Sequence, residues 1–314
     1  MSTNETSEVE ARQVQNLQHL SGLYSKLLEF PGFCLATKDL ADFGVRISRL
    51  DLHSDQNTVA DPEQQFFAPQ PDESFVELPQ PECEPERHAD GASTNCLGLS
   101  LNLDLYDHLR GELPKTSDDK ERSRFEKHAT WSMIGPGNFE RAGVWGFSYI
   151  PSFEWQMSVV FDTVPKLRDK PHMMFTVIHD HPVDENSDNS VIRGEIIGAV
   201  TVMRSRMRET EECECETEFK EHERECEAKF KFREHDLFPV LIVSIWRDKV
   251  RIVQVHFDGQ HVHMALSDFL NFRVYVQASW NILIRWVLTT PTGNTRVPTK
   301  SPPSSSNRKE PIEP

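Results

Sequence analysis

Residues 237–272 read LFPVLIVSIWRDKVRIVQVHFDGQHVHMALSDFLNF. Val240 to Trp246 is apolar and β-branched, the pattern of a strand buried on both faces. Arg247-Asp248-Lys249 breaks it, and Val250 to Phe257 reads as a second strand. Asp258-Gly259 is the strongest hairpin signal in the chain, because a type I′ turn needs positive φ at both central residues. Gln260 to Leu266 returns as a third strand, and Ser267 is placed to cap a short helix through Phe272.

A two-residue turn predicts a register in which Phe257 pairs with Gln260 and His256 with His261. Val253, Val255, Phe257, Val262, Met264 and Leu266 then share a core face. The opposite face carries Gln254, His256, His261 and His263 near the turn. This gathering reads either as a solvated face or as a ligand or metal site.

The rest of the chain sets the frame. Its 314 residues are 37% hydrophobic, with net charge −16 and pI near 5.3. Acidity of this size argues against non-specific nucleic-acid binding and against an anionic membrane surface. The opening MSTNETSEVEARQ has neither a secretory nor a basic transit pattern. No apolar run is long enough to span a bilayer, and six cysteines without an export signal predict reduced thiols in a cytoplasmic or nuclear setting.

The expected class is α+β: a mainly antiparallel sheet with flanking helices, in one core domain over residues 96–289. Residues 1–8 read as a disordered tail and 9–50 as an N-terminal helical segment. Its helices, Val9–Phe30 and Asp39–Leu50, either dock on the core or bind a protein partner. Residues 51–92 carry six prolines, eleven acidic residues and one basic residue, so they read as a linker, with Phe66, Phe67, Phe75 and Val76 as its only adhesive points.

Cys96–Leu105 alternates and predicts a strand, while Arg122–Trp131 predicts a helix. Strands are expected within 145–178 and a helix over Val191–Arg208, capped by Ser190. Residues 209–227 hold ten glutamates and read as a charged insertion. Val276, Trp280, Leu283, Ile284 and Val287 mark an amphipathic helix, and 290–314 reads as a disordered tail.

Arg193-Gly194-Glu195, the charged insertion, Phe238-Pro239-Val240, Phe257-Asp258-Gly259 and the Ser267–Phe272 segment occur in that order. Over about residues 140 to 289 the chain resembles a widespread group of filamentous-fungal proteins without an assigned activity. The resemblance implies a shared fold and a fungal source, and it brings no activity with it.

Three chemical constellations remain. Two His-x-His pairs, His179/His181 and His261/His263, lie beside apolar strands, where this spacing puts both imidazoles on one face. With His256 they form a candidate set of divalent-metal ligands; no other cofactor is implied. Cys213, Cys215, His222 and Cys226 form a second, irregular candidate for zinc. Glu195, Asp248 and Gln254-x-His256 follow the order of a degenerate restriction-endonuclease-like core that lacks its second carboxylate and its lysine. No phosphate-binding loop, nucleophile elbow or dinucleotide fingerprint appears. These features favour a non-catalytic interaction or accessory protein, with a metal-dependent enzyme or metal-binding protein, or a degenerate nuclease, as the alternatives.

Overall fold

The computed structural model describes residues 3–54, 58–71, 94–110, 129–134, 155–180, 190–210, 230–274 and 276–296. Its centre is β8 (Val240–Trp246), in which all seven residues are buried. It runs antiparallel to β9 (Lys249–Phe257) and parallel to β6 (Met173–His179). β10 (Val262–Leu266) and then β2 (Val45–Arg49) extend the sheet beyond β9. β5 (Trp155–Thr163) and β4 (Trp131–Ile134) extend it beyond β6. With β11 (Leu270–Asn271) on β9, this makes a mixed, mostly antiparallel sheet of eight strands in an α+β fold.

Alternation along β9 divides two cores. On one face Val253, Val255 and Phe257 meet α1 (Thr3–Glu29) and α4 (Arg193–Met207). On the other, Val250 and Ile252 meet α3 (Thr94–Arg110), α5 (Gln277–Val287) and Leu50, Leu52, Val59, Phe66 and Phe67. The N-terminal helix is therefore part of the domain: Leu17, Leu20, Leu23 and Leu27, at helical spacing, are buried in the first core. Of the two alternatives for this helix, its inner face docks, packing against α4. Residues 3–8, expected in a tail, already belong to α1.

Two short neighbours follow α1. β1 (Cys34–Leu35) pairs with β7 (Val191–Ile192), and α2 (Thr37–Asp42) ends ahead of β2. The expected second helix over 39–50 is thus half strand, because its apolar residues beyond Gly44 alternate, as Val45 and Ile47 do.

Other expectations are corrected by tertiary context. Cys96–Leu105 lies within helix α3, where Leu101 and Leu105, four apart, are buried and Leu103 is exposed. A leucine at every second position satisfies both periods, and leucine favours helix. Trp131, expected in a helix, lies in β4, while residues 122–128, 145–154 and 211–229 fall outside the described residues. The expected helix after Ser267 is replaced by β11, and the Ser267 hydroxyl accepts from the Ile252 amide at 3.0 Å. Helix α4 begins at Arg193 rather than after Ser190, and its cap is the Glu195 carboxylate, which accepts from Ile192 N at 3.0 Å.

Within residues 58–71, assigned from composition to a linker, Thr58, Val59, Phe66, Phe67 and Pro69 are buried. Within them β3 (Phe67–Ala68) pairs with β12 (Thr290–Pro291), part of the expected C-terminal tail. Thr295 is also buried.

Helix α4 bridges the parallel strands β6 and β8 and lies close over β5. A Cβ at Gly194 would come 2.6 Å from Trp155 Cγ and 2.9 Å from Trp155 Cβ, atoms too near the backbone to move aside. Gly194→Ala is expected to lose about 1–3 kcal/mol in denaturant unfolding despite alanine's better helix propensity. An unchanged midpoint would refute the close approach.

Candidate functional site

Among the described residues, a constellation of fully buried polar side chains sits where β6 and β8 end and α4 begins. Glu195, from the first turn of α4, meets Arg251 on β9: Arg251 Nε donates to Oε1 at 2.7 Å and an NH2 nitrogen to Oε2 at 2.5 Å. Arg251 also donates to Ser190 O at 3.0 Å. Ser244, paired with Arg251 across β8–β9, lies beside Glu195 and adds a small pull that lowers its carboxyl. His179 Nε2 lies 3.0 Å from Ser244 Oγ. His179 Nδ1 is buried without a hydrogen-bond partner among the described residues.

The charges follow from this network. Burial pushes the Glu195 carboxyl up, but the Arg251 charge and its hydrogen bonds outweigh that and hold it below its ordinary value. Burial takes His179 down to about 4, so it is neutral at pH 7. Cys34, half-buried on β1 beside Ser190, is raised by burial and stays a thiol. The Glu195 oxygens accept from Ile192 N and from two nitrogens of Arg251, and Glu195, Arg251, His179 and Ser244 are each buried to 0% exposure. The network ties the start of α4 to β8 and β9. It presents no charged group to a substrate.

The second constellation lies at the opposite end of β9. The connection to β10 is not a two-residue turn. Asp258 to His261 form the loop, with Asp258 Oδ1 accepting from Gln260 N at 2.8 Å and His261 N at 2.7 Å, and Gly259 at φ 95°. The aspartate side chain has made an Asx-type turn, and the register slips by two: Phe257 pairs with Val262 and His256 with His263. A slip of two preserves the faces, so the histidines still gather. His263, not His261, stands directly opposite His256.

His256 and His263 stack with centroids 4.7 Å apart and planes at 7°. His263 Nε2 is 2.7 Å from Asp258 Oδ2, and Arg46 donates to His261 Nε2 at 3.2 Å. Burial, then His263, takes His256 to about 4. Against burial, the His261 amide and His263 hold the Asp258 carboxyl down at about 2.

The expected metal set does not come together. His179 pairs with Trp246, which pairs with Lys249, and His256 lies seven residues further along β9, about 23 Å away at strand rise. A shared ion tolerates no more than ~5 Å between ligand atoms. His181, Cys213, Cys215, His222 and Cys226 lie outside the described residues. Among the described residues no group of three or more His, Cys, Asp or Glu side chains is placed to hold a metal ion.

The nuclease-like order dissolves in the same way. Glu195 is on one face of the sheet and Gln254 on the other, where its amide holds Gln64 O at 2.6 Å and Phe66 N at 3.0 Å. Asp248 lies in the β8–β9 turn, where its carbonyl accepts from Phe272 N.

Arg251 and Ser244 did not stand out as site residues. The available signal was one arginine at a core-face position of an apolar strand, which demands a buried acid as its partner. The motif residues themselves have structural work: Arg193 donates to Phe30 O, Gly194 packs on Trp155, and Glu195 caps α4 and binds Arg251. No family model, curated protein or solved structure matches the chain. Among the described residues no helix is long and apolar enough to cross a membrane.

Proposed function

We propose that the chain is a non-catalytic interaction or accessory protein, working in the cytoplasm or nucleus of a filamentous fungus. The observation that carries this reading is the closure of the Glu195–Arg251–Ser244–His179 network. The most chemically capable groups of the fold are bound to one another and sealed from solvent. A general acid or base must reach a substrate proton, and a metal ligand must have a free lone pair facing its ion. Glu195 offers neither, and among the described residues His179 belongs to no group of three or more side chains placed to hold a metal ion. The net charge of −16 supports a protein partner over a nucleic acid. The fungal source and the shared fold rest on the resemblance carried by Arg193-Gly194-Glu195 and Phe257-Asp258-Gly259.

Elemental analysis of the purified chain tests the reading against its metal-dependent alternative. The expected result is less than stoichiometric zinc, manganese, iron or copper after dialysis. One equivalent of any of them, lost in a His261→Gln or His179→Gln variant that keeps its fold, would overturn it.

A further inference from the structure

The tip of the β8–β9 hairpin carries positive charge on a chain whose net charge is −16. Trp246 pairs with Lys249, so Arg247 and Asp248 make a two-residue turn. Such turns favour glycine or asparagine wherever φ is positive. Here Arg247 stands at φ 57°, the one positive-φ residue other than glycine among the described residues. Its side chain is exposed and has no partner among them. A residue held in a backbone conformation that its own side chain disfavours points to a use for that side chain.

β11 brings further groups to the same tip. Leu270 and Asn271 pair with Val250 and Lys249, and Phe272 N donates to Asp248 O at 2.7 Å, so Arg273 emerges beside the turn. Trp246 and Phe269 meet edge to face at 5.9 Å between centroids. The Lys249 ammonium lies 5.6 Å from the first ring and 5.9 Å from the second, which holds its charge at the tip. Val274 and Val276, next along the chain, are exposed to 71% and 46%. Against Arg247, Lys249 and Arg273 the turn sets one acid, Asp248. Asp268 is held by Arg49 at 2.7 Å, and Glu195 is taken up by the buried Arg251.

We propose that this hairpin tip, with Arg273, Val274 and Val276 beside it, is a docking surface for an acidic segment of a partner protein. The segment sets carboxylates against Arg247, Lys249 and Arg273, and an aliphatic side chain against the two valines. The proposal rests on the interaction reading above and names the partner's chemistry. Charge complementarity selects the occupant. At physiological salt, fields fade over about 8 Å, so a partner at contact meets the local cations and not the acidity of the whole chain. A nucleic acid fits less well: it brings a long polyanion against the chain's many acids and leaves the valines uncovered.

The test titrates the full chain into a fluorescein-labelled peptide, Glu-Asp-Ile-Glu-Glu-Val-Asp-Glu, and follows anisotropy. Saturable binding is expected, weakening as salt is raised. Glycine adopts φ 57° freely, so Arg247→Gly keeps the hairpin and removes only the side chain. It should weaken binding by roughly tenfold, for one charge-assisted hydrogen-bonded pair lost. Val274→Glu, at an exposed position, should weaken it as well. A peptide with serine in place of its isoleucine and valine should bind less tightly than the original.

No saturable binding to the unaltered chain overturns the proposal. So does unchanged affinity in folded Arg247→Gly, which would place the site elsewhere. Equal affinity for the serine peptide would reduce the binding to diffuse charge attraction and overturns it too. Tighter binding of an oligothymidylate of the same charge would make a nucleic acid the occupant. Failure here leaves the elemental analysis untouched, and a bound metal would leave the hairpin tip untouched.

Discussion

Bringing the protein from pH 7 to pH 5 is expected to remove much of its stability. His172, His179 and His256 are buried, and burial is the first cause that takes them to about 3, about 4 and about 4 from an ordinary 6.5. In the unfolded chain each accepts a proton as pH falls below 6.5, whereas in the folded chain it stays neutral until far lower. Their contribution is therefore intact above pH 6.5 and is lost as pH falls from there toward about 4.

The loss is 1.36 kcal/mol per pH unit for each group, about 2 kcal/mol each at pH 5. Three such groups reach about 6 kcal/mol, comparable with the whole stability of many domains. His235, also taken to about 4 by burial and then by Arg296, acts in the same direction. Asp258 does not oppose this window: its carboxyl, held at about 2, gives up its contribution only as pH falls below its ordinary 3.8. Urea unfolding at pH 7.5 and pH 5.0 reads the effect directly. Equal midpoints at the two values would show that the histidines are not buried neutral.

The second large effect is expected at Arg251. Arg251→Met keeps most of the volume and leaves the Glu195 carboxylate buried with no cation. Removing one partner of a buried ion pair costs about 3–5 kcal/mol, far more than the pair's net worth. The double variant Arg251→Met with Glu195→Gln should recover part of that loss, since the stranded charge is gone. Denaturant unfolding of both single variants and the double variant closes the cycle. A loss below ~1 kcal/mol for Arg251→Met would show the pair to be solvent-screened.

How much of this was legible in residues alone depends on how local the deciding force is. Val240–Trp246 and Val250–Phe257 announce themselves because a strand buried on both faces, or on one, leaves its period in the sequence. The face of His256, His261 and His263 was legible for the same reason, and it survived a wrong turn type because an even slip keeps parity. Cys96–Leu105 was misleading because leucine at every second position suits two periods at once. Residues 58–71 were misleading for a different reason. Their prolines and acids describe a chain that cannot fold alone, and what orders it is a cleft built by β9, α5 and β12, more than 180 residues away. At the candidate site, Glu195 drew notice as a helix-start acid; its partner Arg251 is 56 residues distant, and no local pattern couples them.

The position of β2 at the edge of the sheet has a consequence for how the chain is made. Among the described residues β2 pairs only with β10 in that sheet, and the Arg46–His261 contact spans 215 residues of chain. At ordinary rates of synthesis, roughly 5–20 residues per second, its partner leaves the ribosome about 10–40 s later. Through that interval α1 waits too, with the four leucines of its inner face uncovered until α4 and the sheet beneath it are complete. High contact order of this kind slows folding and leaves nascent chains adhesive. A chaperone that shields the first 50 residues during translation should therefore raise the yield of folded protein more than one that acts after release.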